Sequence, residues 1–236
     1  MTIFNTQIDM LKLVAKALGP ELRQHMTFVG GCTTGLLLTD AFTREQVRST
    51  DDVDLIVHVI GYQAFATLQH QLGQRGFKVS AGQDDDDFPI CAMKLGELRV
   101  DFIPDDERVL GFSNRWYKGA VASATACVLD DETTINLVNP VYFIATKLEA
   151  YKGRGRGDAL SSRDIEDILN LVDGRPELLH EIHSASAEIR AYISLEIARL
   201  LGDANFEYAV ASQSLGSKDR EELLFERLEE LAKGHA

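Results

Sequence analysis

Two neighbouring segments constrain this chain more than any other feature: Phe28-Val29-Gly30-Gly31-Cys32-Thr33-Thr34-Gly35 and Arg48-Ser49-Thr50-Asp51-Asp52-Val53-Asp54-Leu55. In the first, a short apolar run ends in two glycines. The second opens a longer apolar run with carboxylates two residues apart. Successive side chains of a strand point to opposite faces, so Asp52 and Asp54 share one face while Val53 and Leu55 enter a core. Two adjacent carboxylates repel unless a cation or proton compensates them. Oxygen-only donors of this kind suit Mg²⁺. The paired glycines leave backbone that a phosphate can approach closely. Each half alone reads as an ordinary turn or a solvated strand end. The combination, with Arg48 and Thr50 just ahead of the acids, is far more specific.

Read in order, the chain gives an α+β fold: a small mixed β-sheet flanked by helices, then a C-terminal helical region. Ile8, Leu11, Val14, Ala15 and Leu18 recur at helical spacing, and Gly19-Pro20 is a stop signal. Strands are expected at 26–29 and 53–60, with the start of a helix at 31–39 and a loop at 40–50. A helix at 62–74 leads to a short strand at 77–80. The acidic run Asp84 to Asp87 lacks the Gly and Glu of a calcium loop and reads as solvated. Strands at 88–94 and 97–104 flank a Leu95-Gly96 turn. Asp101 lies in the middle of the second, where a carboxylate is costly unless it is paired or binds a metal. Arg99 or Arg48 would be its partner in the plainer reading. Residues 105–138 read least clearly, with a helix near 115–124 and a strand at 134–138. Trp116 and Tyr117 are core aromatics unless they stack on a base.

Asn139-Pro140 is a helix start. Val141, Ile144, Ala145 and Leu148 form the stripe this helix buries, and Lys147, Tyr151 and Arg154 share another face. After a loop at 153–162 rich in Gly, Arg and Ser, Ser161 or Ser162 caps a helix with Ile165, Ile168, Leu169 and Val172 inward. Asp164 and Asp167 fall on its polar side, where acids also suit a helix N-terminus. Everything after Pro176 has helical period, including 187–201 and 219–233. These features divide the chain into 1–138, an α/β core, and 139–236, a helical domain.

Gly-Gly, a gap and then Arg-x-Thr-x-Asp-Val-Asp-Leu resembles the first motif of the DNA polymerase β-like nucleotidyltransferase superfamily. Lys147-Leu148-Glu149-Ala150, Arg154-Gly155, Asp164 and Asp167 resemble the second signature of the AbiEii-type nucleotidyltransferases, toxins of type IV toxin–antitoxin systems. The resemblance spans residues 26–172. It implies a polymerase β-like fold in which Asp52, Asp54 and Asp101 bind two Mg²⁺ ions and, with Lys147, form the catalytic set. Gly30, Gly31, Thr33, Arg48, Thr50, Arg154 and Asp164 would contact the nucleoside triphosphate. Asp158 and Asp167 are further candidates. The acceptor implied is RNA, particularly tRNA 3′ ends, and the setting implies a cognate antitoxin. A small-molecule acceptor, a protein hydroxyl and a non-catalytic nucleotide-binding module are the rivals.

Charge limits the nucleic-acid reading. The 236 residues carry a formal net charge of −13, the opposite of a surface that binds RNA through phosphates alone. Between Lys147 and Arg163, however, five cations face two anions, so an anionic ligand is expected there. No apolar run reaches the ~18 residues of a membrane span, and the N-terminus lacks a secretory pattern. Three cysteines without metal-like spacing fit a reduced cytoplasmic protein.

Overall fold

The computed structural model describes residues 2–79, 90–154 and 157–234. The expected acidic run at 84–87 therefore lies outside the described residues, as do Phe88, Pro89, Gly155 and Arg156. In chain order the elements are α1 (Ile3–Arg23), β1 (Met26–Val29), a 3₁₀ turn (Gly31–Thr33), α2 (Thr34–Leu37), α3 (Ala41–Arg44), β2 (Asp52–Val57), α4 (Tyr62–Gln74) and β3 (Phe77–Val79). Then come β4 (Ala92–Leu95), β5 (Leu98–Pro104), α5 (Glu107–Leu110), α6 (Tyr117–Ala122), β6 (Thr125–Asp130) and β7 (Thr133–Leu137). Helices α7 (Pro140–Arg154), α8 (Arg163–Gly174), α9 (Leu178–His183), α10 (Ala187–Leu201), α11 (Ala204–Gln213) and α12 (Lys218–Ala232) complete the chain. The fold is α+β, with a mixed sheet flanked by helices and a C-terminal run of helices.

These elements form two compact units. One comprises Met1–Thr33 and Ser49–Asn139, the other Thr34–Arg48 and Pro140–Ala236. The division at Asn139/Pro140 lies within a residue of the one expected, but residues 34–48 group with the helices.

The first unit holds a seven-stranded sheet in the order β3-β4-β5-β2-β1-β7-β6. β2 and β5 run parallel, β1 is antiparallel to β2 and parallel to β7, and the outer pairings are antiparallel. Phe28, Leu55, Phe102, Phe65 and Phe77 are fully buried. The Phe77 and Phe102 rings meet edge to face, with centroids 5.3 Å apart. Thr2 starts α1 by accepting a hydrogen bond from the Asn5 amide at 3.2 Å. Gly19 and Pro20 kink α1 rather than end it. Gly19 leaves helical geometry at φ +67, and the chain resumes a turn that runs to Arg23. Proline fits the first turn of a new helical segment, where its missing N–H has no intrahelical partner to lose. Trp116 is 6 % exposed and belongs to the core.

Helix α8 organises the second unit. Ten of its twelve residues are buried, so it is surrounded rather than packed along one face. α2, α3, α7, α11 and α12 all lie against it. Ser162 caps it, accepting from the Ile165 amide. Its far end holds residues 34–48 in place: the amides of Thr39 and Asp40 both donate to the Gly174 carbonyl at 2.9 Å. Asp173 pairs there with Arg220 of α12. A β-carbon on Gly174 would sit 2.8 Å from the Thr43 side chain. The segment expected as a plain loop at 40–50 contains α3, capped by Asp40 at 2.7 Å from the Thr43 amide.

Candidate functional site

Asp52 and Asp54 open β2, with Val53 and Leu55 fully buried between and beyond them. β5 runs parallel beside β2 in a register that places Asp54 opposite Asp101 and Asp52 opposite Arg99. The three carboxylates and Arg99 therefore occupy one face of two adjoining strands. Asp101 is 6 % exposed. Arg99 grips it with both arms of its fork, Nε at 2.8 Å from Oδ1 and Nη2 at 2.6 Å from Oδ2. The plainer expectation of an arginine partner for Asp101 holds, with Arg99 as the partner, and Asp52 and Asp54 share a face as strand alternation requires.

Gly30 brings the turn against these acids. Its φ is +76, and a β-carbon there would fall 1.9 Å from Oδ2 of Asp54. Only glycine admits both the conformation and the approach. Thr33 differs from expectation: it is fully buried, and its hydroxyl donates to the Gly30 carbonyl at 2.8 Å. It shapes the turn and offers no outward donor, because that bond satisfies its hydroxyl locally. Gly31 is likewise buried. The Thr50 hydroxyl donates to Asp52 Oδ1 at 2.5 Å, which orients that carboxylate.

The negative field here is strong. Burial first, and then the charge of Asp101, push the Cys91 thiol up to about 12, so it stays a neutral, inert thiol. Hydrogen bonds to Asp101 raise the pKa of Arg99, with burial opposing and the charges of Asp101, Asp52 and Asp54 adding to the rise. As donors, three carboxylates are hard oxygen ligands suited to Mg²⁺, and Gly30 sets no β-carbon against Asp54. By donor chemistry alone, these residues suit divalent ions. Among the described residues, no group of three or more His, Cys, Asp or Glu side chains is gathered closely enough to hold an ion as it stands. Both oxygens of Asp101 are engaged by Arg99.

The helical unit contains a second charged centre. Lys147 Nζ lies 2.6 Å from Asp167 Oδ2 and 3.2 Å from Asp164 Oδ1. Arg48 forks onto Asp167 at 3.1 and 3.0 Å, and the Thr34 hydroxyl adds a bond at 3.2 Å. Arg154 forks onto Asp164, both bonds 3.0 Å. Asp164 and Asp167 are thus not on a solvated polar face: they are 4 % and 0 % exposed. The cations drawn over them exclude water from that side of α8. Burial raises the Asp164 pKa, but hydrogen bonds from Arg154 and the charges of Lys147 and Arg154 outweigh it and hold the carboxyl below its ordinary value. Three cations surround two anions, and Arg154 carries the excess outward with its side chain 73 % exposed. Asp158 stands apart, exposed and closing a turn onto Ser161.

The sequence pattern offers Arg99 only as a possible partner of Asp101 and carries no sign of the Thr34 contact. The i, i+2 spacing of Arg99 and Asp101 within a strand was the available signal for the first. Scanning protein-family models and searching curated proteins gave no match.

Proposed function

We propose that this protein is a divalent-metal-dependent nucleotidyltransferase that moves a nucleoside monophosphate from a nucleoside triphosphate to an acceptor hydroxyl. The observation that carries the reading is the register of β2 and β5, which sets Asp101 beside Asp54, with Asp52 on the same face and the Gly30 turn against them. In this reading Asp52, Asp54 and Asp101 hold two Mg²⁺ ions. Two such ions, when bound, stabilise the attacking and leaving oxygens of an in-line displacement. Asp101 completes the second ion site and helps deprotonate the acceptor hydroxyl. The backbone at Gly30 and Gly31 cradles phosphate oxygens. Within the helical unit, Lys147, Arg48 and Arg154 supply positive charge suited to phosphate groups. Asp164 and Asp167 hold those cations in place.

The acceptor we favour is RNA, with tRNA 3′ ends first, in a toxin–antitoxin setting. A net charge of −13 restricts RNA to a local contact at the cationic stretch. A second reading, a small-molecule acceptor, is favoured by a depression of about 450 Å³ in the helical unit, lined by Gln46, Ser162, Glu166, Ser212 and Gln213 among others. That volume suits a small ligand. Incubation with each labelled nucleoside triphosphate, Mg²⁺ and total tRNA separates the cases. Label on tRNA, absent with Asp54→Ala, supports the favoured acceptor. Label on small metabolites alone supports the second reading. Label on neither, with no pyrophosphate released, leaves a nucleotide-binding module.

A further inference from the structure

The fork between Arg99 and Asp101 sits where the proposed function needs free carboxylate oxygens, and this inference rests on that reading. Asp101 is 6 % exposed and makes both of its oxygens acceptors of the same guanidinium. A carboxylate so deep beside two others needs a positive partner to stay ionised. Arg99 supplies one, from the position opposite Asp52 in the strand register. Its side chain is 34 % exposed, so part of it lies at the surface. Lys147 is different: its side chain is 8 % exposed and its two carboxylate partners are 5 % and 0 % exposed.

We propose that Arg99 is a positioning residue that serves as the resident counter-ion of the carboxylate face. It holds Asp101 in rotamer and in charge until a divalent cation replaces it, and then leaves both oxygens. Arginine and divalent metal thus compete for the same two atoms. The exchange is a simple displacement in which the N–H···O bonds to Asp101 are traded for oxygen–metal bonds and the freed guanidinium is hydrated. Consequently the metal-free protein is stabilised by Arg99, while its metal affinity is lowered by Arg99.

The test is Mn²⁺ binding, followed by electron paramagnetic resonance, together with thermal unfolding in the absence and presence of Mn²⁺. Four proteins are compared: wild type, Arg99→Gln, Arg99→Lys and Lys78→Gln. The last removes one positive charge two strands away, on β3, and controls for diffuse electrostatics. Arg99→Gln is expected to bind Mn²⁺ about tenfold tighter than wild type, since a charged fork no longer competes. It should unfold at lower temperature without metal and recover with it. Arg99→Lys, which keeps charge and loses the fork, should fall between, and Lys78→Gln should stay within about twofold of wild type. If wild type binds Mn²⁺ and Arg99→Gln binds it no tighter than wild type or Lys78→Gln does, the counter-ion role is overturned and the functional reading stands. If neither wild type nor Arg99→Gln binds Mn²⁺, the functional reading itself fails and this inference falls with it.

Discussion

Individual residues here answer to close geometry. Gly30 combines a positive φ with a β-carbon position 1.9 Å from Asp54 Oδ2. Gly30→Ala should therefore cost at least about 1–2 kcal/mol from backbone strain alone, and it should push Asp54 out of line with Asp101. Urea unfolding and Mn²⁺ affinity measure the two effects, and both should fall. Lys147 is a different case. It is 7 % exposed and bridges Asp164 and Asp167, so Lys147→Met leaves two buried carboxylates short of a cation. The expected loss is about 3 kcal/mol in urea unfolding. A loss below about 1 kcal/mol would mean that Arg48 and Arg154 compensate fully. Arg154→Ala, at a mostly exposed end of the same centre, should cost far less.

At the scale of elements, α8 links the acid response to the charged centre. Asp164 has a folded pKa below its ordinary 3.8. A carboxylate depressed in the native state adds stability above its unfolded value, and that contribution disappears as pH falls through the folded one. The helical unit should thus lose stability from about pH 4 downward, and Asp164→Asn should flatten that acid limb in circular-dichroism melts. A limb unchanged by the substitution would move its cause elsewhere. The elements also show what the sequence made legible. β1 at 26–29, α4 at 62–74 and α10 at 187–201 match their expected limits, because continuous burial or a clean helical period announces itself locally. β6 was missed because it is an edge strand with Thr125, Ala126 and Val128 exposed, which carries no buried alternation. α3 and α5 were missed because four residues are too few to show a period. The pairing of Arg48 with Asp167 spans 119 residues, and no local pattern encodes a contact of that separation. The shared face of Asp52 and Asp54 was legible from strand alternation, whereas the place of Asp101 beside them was implied only by the resemblance, because alternation within a strand does not set the register between two strands.

For the whole molecule, charge sets the terms of any contact with RNA. The chain is strongly acidic overall, and the segment from Lys147 to Arg163 holds five of its 24 cations against two anions. Binding of tRNA should depend weakly on salt, with a slope of log affinity against log salt of roughly −2, the signature of about three phosphate contacts. A slope several-fold steeper would point to an extended basic surface that this composition does not supply. Among the described residues, no helix is long and apolar enough to cross a membrane. The central claim remains that Asp101 works with Asp52 and Asp54 as one set on adjoining strands. The most direct measurement is nucleotidyl transfer from labelled nucleoside triphosphates by wild type and Asp101→Asn, each checked for native fold by circular dichroism. The account predicts transfer by wild type and a loss of about 10²–10³-fold in the variant; transfer by folded Asp101→Asn at the wild-type rate would contradict it.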